Sequence, residues 1–289
     1  MAVFDKTIAD ILNARLRRLE KHFDADAVFY YGEIHPSYEK FFRDFIEQLK
    51  ITKSQKTRLI IVLNTPGGSA ETVEKMVEII RHHYDEVYFV VPDYAMSAGT
   101  IFCMSGEKIY MDYSSSLGSI DPQVFNGKEY VPALGYLEQV QKLIAKSRKA
   151  EISDVEFAMF QNLDLATLNS YEQAAALSED LTRKWLAEYK FKNWTIHRTD
   201  ANKKGQPVTR QEKEQRADEI AKELCKNERW HSHGRNIGID TLRNSLRIEI
   251  EDYSNDKKLR PLVRQYNDLL IEYIRRTKLK VFLHSKYYF

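Results

Sequence analysis

Two glycine-bearing segments carry the groups best suited to chemistry. One runs Asn64-Thr-Pro-Gly-Gly-Ser-Ala70, the other Tyr94-Ala-Met-Ser-Ala-Gly-Thr100. A serine hydroxyl attacks a carbonyl carbon only when a neighbour takes its proton and donors receive the charge that develops on oxygen. Paired glycines at Gly67 and Gly68 leave backbone N–H groups unobstructed. Such groups at a helix start receive phosphate or an oxyanion. Ser97 stands among small residues at a predicted strand-to-helix turn, which presents it at the carboxyl edge of a sheet. The two segments together predict a nucleophile, Ser97, and two oxyanion donors, the N–H groups of Gly68 and Ala98. Each also has an ordinary reading: Pro-Gly-Gly is a common tight turn, and Ser97 fits a plain helix N-cap.

The proton acceptor is less plainly marked. His233, in Trp230-His-Ser-His-Gly-Arg235, offers an imidazole suited to base chemistry near neutral pH. A loop histidine that only makes structural hydrogen bonds is the alternative. Asp121 can orient His233 or act through a water. Lys128, in an Asn-Gly-Lys turn, and Lys142 are further candidates, each of which must first be neutral. His231 and His233 lack the nearby carboxylate or cysteine that would complete a metal set. Acyl transfer through Ser97 requires no metal or organic cofactor. His82-His83 closes an amphipathic helix, where partial positive charge meets the dipole.

The elements that must position these residues follow from periodicity. Ala27–Tyr31, Arg58–Leu63 and Val87–Val91 read as buried strands, and Tyr38–Leu49 and Glu71–His82 as helices between them. Strands alternating with helices of about a dozen residues predict βαβ units and a largely parallel sheet. Both reactive segments directly follow a strand. Ile8, Leu12, Leu16, Leu19 and Phe23 recur at helical spacing, predicting an N-terminal amphipathic helix that docks on the domain or on a sister subunit. From Tyr136 onward the pattern is mostly helical, with a polar turn-rich stretch at 200–207. A short strand at Leu246–Ile250 and a long helix from about Asn255 to Arg276 close the chain. Thr209 and Glu212 form the pattern of a capping box.

Bulk properties narrow the class. The 289 residues suit one large α/β domain with a helical appendage. The expected division places a catalytic core with the N-terminal helix at 1–150 and a mostly helical, basic region at 151–289. The net charge of +2 conceals an asymmetry: residues 181–289 carry 25 Lys and Arg against 15 Asp and Glu. A basic half suits nucleic acid, another acidic partner, or the acidic half of its own chain. No motif of a nucleic-acid-binding fold occurs. Charges interrupt the first 25 residues and every later apolar run, so neither a leader nor a membrane span is predicted. Two distant cysteines, Cys103 and Cys225, suit buried free thiols in a reducing, cytoplasmic setting.

Pro-Gly-Gly-Ser, then Met-Ser-Ala-Gly-Thr about thirty residues later, then Leu117-Gly-Ser-Ile-Asp-Pro-Gln123 resemble the serine dehydrogenase proteinase family. That family is related to signal peptide peptidase SppA and to the Clp protease proteolytic subunit. The likeness runs from about Leu12 to Gln139, and Ser232-His-Gly-Arg235 resembles a downstream element of the same family. The resemblance implies an α/β fold, a Clp/crotonase-type ββα superhelix with a helical C-terminal extension. It also implies a Ser97 nucleophile, an oxyanion hole at Gly68 and Ala98, and a homo-oligomer that encloses the site. The base departs from the relatives. Where SppA-type proteins have lysine this chain has Ala133–Leu134, and where Clp-type proteins have histidine it has Asp121-Pro-Gln123. The resulting expectation is a serine peptidase acting on peptide or protein substrates. Its rival is a crotonase-like scaffold without proteolysis, serving as an acyl-thioester enzyme or a binding module.

Overall fold

The strands that lead to the reactive segments are apolar on both faces, so a sheet built from them must be covered on both sides. The computed structural model describes residues 3–51, 55–125, 130–161, 163–198 and 201–289. Helix α1 (Val3–Phe23) leads into β1 (Asp26–Tyr31), α2 (Glu39–Ile51), β2 (Arg58–Asn64), α3 (Ala70–His83) and β3 (Glu86–Val91). A two-residue strand β4 (Tyr94–Ala95) enters α4 (Ala98–Met104), followed by β5 (Lys108–Met111), β6 (Ser116–Leu117) and a hairpin of β7 (Gln123–Phe125) and β8 (Tyr130–Pro132). Helices α5 (Ala133–Arg148), α6 (Asp154–Gln161), α7 (Leu165–Trp185), α8 (Arg210–Cys225) and α9 (Asn227–Trp230) come next. The chain closes with β9 (Glu251–Asp252), α10 (Leu259–Thr277) and β10 (Phe282–His284).

The main sheet runs β10-β1-β2-β3-β5-β9, parallel except where β10 pairs antiparallel with β1. Alternation along each strand divides its side chains between two cores. Val28, Ile61 and Phe89 face the side covered by α2, α3, α4, α7 and α8. Phe29, Ile60, Val62 and Val90 face α1 and α10. A second, narrower layer of pairing sits at the carboxyl ends of the strands. It consists of bridges from Ile34 to Gly68, Thr65 to Ala95 and Leu117 to Ile237, together with the β4–β6 pair. Each turn of chain therefore adds one long strand, one short pairing segment and one helix. This is the Clp/crotonase-type superhelix.

The N-terminal helix docks within its own chain, burying Leu12, Leu16 and Leu19 against α10. The first core also crosses residue 150: Leu181, Trp185 and Leu224 pack with Val77, Phe102 and Cys103. Both cysteines are buried and free, and burial pushes their thiols well above the ordinary value. The Thr209–Glu212 capping box forms as expected.

Two expectations about elements are corrected. Residues 246–250 form no strand, although Leu246, Ile248 and Ile250 are buried. A π-helical turn at Thr241–Ser245 precedes them and the left-handed backbone of Arg247 interrupts them, so only Glu251 and Asp252 find strand partners, on Tyr110 and Met111. The last long helix begins at Leu259 rather than Asn255. Asp256 Oδ1 accepts the N–H groups of Lys258 and Leu259 and fixes the start there. The edge strand β10 and strand β5 escape the sequence reading altogether, because three or four residues carry too little periodicity.

Candidate active site

The site is assembled where β2 and β3 run out of sheet. After Asn64 the chain passes through Thr65, Pro66, Gly67 and Gly68 before α3, whose first turn is capped by Ser69 accepting from the Thr72 N–H. After Val91 it passes through β4 to Ser97, then α4. Thr65 N–H donates to Tyr94 O at 3.1 Å and Met96 N–H to Thr65 O at 3.0 Å, so the two segments run side by side.

Ser97 occupies φ 51°, ψ −120°, a region that non-glycine residues rarely adopt. Its side chain makes no capping bond to α4, which removes the ordinary N-cap role from the geometry. Strand and helix meet there at a sharp, strained turn, the backbone setting of a nucleophile elbow. Thr100, fully buried, buttresses the turn. Its hydroxyl lies 2.9 Å from the carbonyls of Ala95 and Gly118 and accepts the Gly118 N–H at 2.9 Å.

The glycine pair explains itself at two atoms. Gly67, at φ 107°, faces Ser97 so closely that a Cβ would stand 2.8 Å from the serine Cβ and from Met96 O. Gly68, at φ 141°, has no room on its other side, where a Cβ would stand 2.0 Å from Ile34 O. Ile34 N–H donates to Gly67 O and Ser69 N–H to Ile34 O, at 2.8 and 2.9 Å. In such a parallel bridge the middle residue's own N–H points away from the partner strand. The Gly68 N–H is thereby turned from Ile34 toward the side where Gly67 meets Ser97. Ala98 N–H, the first of α4, belongs to the helix end that has no intrahelical acceptor.

His233 and Asp121 meet, although 112 residues separate them. Nδ1–H of His233 donates to Asp121 Oδ1 at 3.0 Å, and Gln123 Nε2 donates to Asp121 Oδ2 at 2.9 Å. Asp121 is 1% exposed and the His233 side chain 24%, so the carboxylate is buried and the ring reaches solvent. With Nδ1 donating, Nε2 is left as the acceptor. The loop that carries His233 is pinned at both ends. Trp230 Nε1 donates to Glu223 O at 3.0 Å, and Ile237 exchanges both backbone bonds with Leu117. Ser119 Oγ lies 3.5 Å from His233 Nδ1. Gly118, beside Ser119, abuts Met96, the neighbour of Ser97. The segments of Ser97 and His233 thus each border residues 118–119, and no hydrogen bond joins the two side chains in this conformation.

The other candidate bases fare differently. Lys128 lies outside the described residues. Lys142 is exposed on α5, nine residues or about 13 Å along the helix axis from Ala133, whose N–H donates to Pro122 O. Among the described residues no group of three or more His, Cys, Asp and Glu is arranged to hold a metal ion.

Sequence reasoning overlooked the polar residues behind the turns. Asn64 is fully buried at the end of β2, and its Oδ1 accepts from the N–H groups of Asp93 and Tyr94 at 3.2 and 3.4 Å. Arg264, on α10, donates to Asp93, Asp112 and Pro92 O. Burial alone would raise the Asp112 carboxyl, but Ser114 and Arg264 hold it below its ordinary value. Part of the basic excess is therefore matched to carboxylates of the same chain. One signal was available: Asn267 stands at a core-facing position of a helix whose neighbours there are Val263, Tyr266 and Leu270.

Comparison with known proteins places the chain in a family. The sequence model of ClpP-like SDH-type serine proteinases matches residues 38–192, more than half of the chain. The uncharacterized protein MJ0137 of Methanocaldococcus jannaschii is 30% identical over 141 residues, 45% of this chain and 47% of its own. The uncharacterized protein MJ1495 of the same organism is 31% identical over 64 residues, 22% of each. The chain thus spans at most about half the length of these curated relatives. Among solved structures, two variants of the 1510-N membrane-bound stomatin-specific protease, one with a substrate peptide, align over 81% of this chain and 80% and 76% of theirs. Identity is 15% and 16%, and the TM-score is 0.46 for both. No helix among the described residues is long and apolar enough to cross a membrane.

Proposed function

The chain belongs to the family of ClpP-like SDH-type serine proteinases, and on that premise we propose that it hydrolyses peptide bonds through an acyl-enzyme on Ser97. The observation that carries the proposal is the backbone of Ser97: a strained turn, no capping bond, and Gly67 packed against it. Strain at a non-glycine residue persists only where the surroundings hold it, and such residues gather at reactive sites. In this reading Ser97 Oγ adds to the peptide carbonyl while His233 Nε2 takes its proton. Asp121 holds the imidazole in the donating tautomer and stabilises the charge it gains. The N–H groups of Gly68 and Ala98 receive the oxyanion. The imidazolium then protonates the leaving amine, and water releases the acyl group by the same path in reverse. Closing the gap between Ser97 and His233 is the part played by bound substrate, since catalytic hydrogen bonds often tighten only in the complex.

Residues 1–150 would supply nucleophile, oxyanion donors and Asp121, and residues 151–289 the base. A homo-oligomer that shields the site belongs to the same proposal. Its support is the limb of α5 and α6, where Phe157 is 50% exposed and Met159 64%, and α6 buries no residue.

The experiment is covalent labelling with a fluorophosphonate probe. Wild-type protein is expected to be labelled at Ser97 and Ser97→Ala to be neither labelled nor active, with an unchanged circular-dichroism spectrum. Full activity in Ser97→Ala would end the proposal. Peptide-bond cleavage by the wild type separates a peptidase from an acyl-thioester enzyme of the same fold.

A further inference from the structure

The last long helix lies beyond the family-matched segment, yet it reaches the reactive turns. Asn267 on α10 is 1% exposed, and its one amide has three partners: Asn64, Asp93 and, at 3.4 Å, Asp268. Its Oδ1 accepts from Asn64 Nδ2 at 2.7 Å, and its Nδ2 donates to Asp93 Oδ2 at 2.9 Å. Asn64 Oδ1 in turn accepts the Asp93 and Tyr94 N–H groups. One turn earlier on the helix, Arg264 Nη1 donates to the second oxygen of Asp93 at 2.8 Å. Asn64 stands three residues before Gly67, and Asp93 four before Ser97. Between them the chain is laddered by the Thr65–Tyr94 and Met96–Thr65 bonds.

We propose that Asn267 is a positioning residue, which sets the placement of the Gly67-Gly68 turn relative to Ser97 by tying the ends of β2 and β3 to each other and to α10. This rests on the reading of Ser97 as nucleophile and of Gly68 as oxyanion donor. A buried amide between apolar Tyr266 and Leu270 is expensive to leave unpaired, so the tie has one geometry in which all its bonds are made. Displacement of reacting groups by about 1 Å is enough to cost on the order of 100-fold in rate. The helix is thereby more than a cover for the sheet: it fixes the distance across the site.

The test compares Asn267→Leu with Val263→Ala, a buried change on the same helix that touches neither turn. Both lose thermal stability, so labelling by fluorophosphonate is measured at a temperature well below both transitions. Asn267→Leu is expected to lower the maximal labelling rate on the order of 100-fold while the half-saturating probe concentration moves less than about threefold. Val263→Ala is expected to label at the wild-type rate. Asp93→Ala, at a half-exposed position, carries the test should Asn267→Leu fail to fold, and is expected to lower the same rate. Equal labelling of wild type and Asn267→Leu, or an equal loss in Val263→Ala, overturns the positioning role alone. Absence of labelling in the wild type overturns the reading of Ser97 and the positioning role with it.

Discussion

At the scale of single residues, the arrangement turns on proton acceptance and on shape. His233 is held by a buried carboxylate whose other oxygen is also engaged. Removing the imidazole while keeping an amide of similar size, as in His233→Gln, is expected to lower the hydrolytic rate by about 100- to 10,000-fold without unfolding the protein. Steady-state rates alongside thermal unfolding check this, and an unchanged rate would exclude His233 as the base. Asp121→Asn is expected to fall in the same range, because an amide favours the wrong imidazole tautomer. Gly68 is less forgiving. Its Cβ would collide with Ile34 O, so Gly68→Ala is expected to disturb the bridge to Ile34 as well as the donor, with loss of both stability and labelling.

At the scale of elements, β10 and α10 bury a histidine that the proposed chemistry does not use. His284 is fully buried, and its Nδ1 lies 2.7 Å from the Tyr266 hydroxyl. Burial holds its imidazole down to about 3. A folded-state value below the unfolded one means that this group's contribution is complete above about pH 6.5 and is lost as pH falls toward 3. Stability is therefore expected to decline through that window by up to about 1.4 kcal/mol per pH unit from this group alone. His284→Gln is expected to flatten the decline. Urea midpoints at pH 7, 5 and 4 for the two proteins decide it, and identical slopes would show that other groups control acid unfolding.

At the scale of the molecule, both ends of the chain close one face of the sheet. Helix α1 buries Leu12, Leu16 and Leu19 against α10, and a single Leu16→Ala is expected to cost about 2–5 kcal/mol. Deleting residues 1–24 would expose that whole face, with aggregation as the expected outcome in light scattering. Assembly is expected to depend instead on the α5–α6 limb. Paired replacement of Phe157 and Met159 by lysine is expected to lower the mass seen in light scattering while leaving the thermal transition in place. A wild-type protein that is monomeric at micromolar concentration would remove the oligomer from the proposal.

The sequence by itself determined the strands Arg58–Leu63 and Val87–Val91, which the structure extends by one residue each, the helix between them and the place of both glycine-bearing turns. Apolar runs with period and length are local signals, and Pro-Gly-Gly and Met-Ser-Ala-Gly mark backbone that only small residues allow. It also offered Asp121 as a residue that can orient His233, with action through a water as the alternative, but nothing local required the contact. That contact depends on a bridge between Leu117 and Ile237, and no spacing rule encodes a pairing 120 residues long. The same holds for Asn64, Asp93, Arg264 and Asn267, each of which reads in sequence as an ordinary polar residue. Only the tertiary structure brings α10 beneath the turns, because burial of its apolar face against the sheet fixes where its few polar side chains must point.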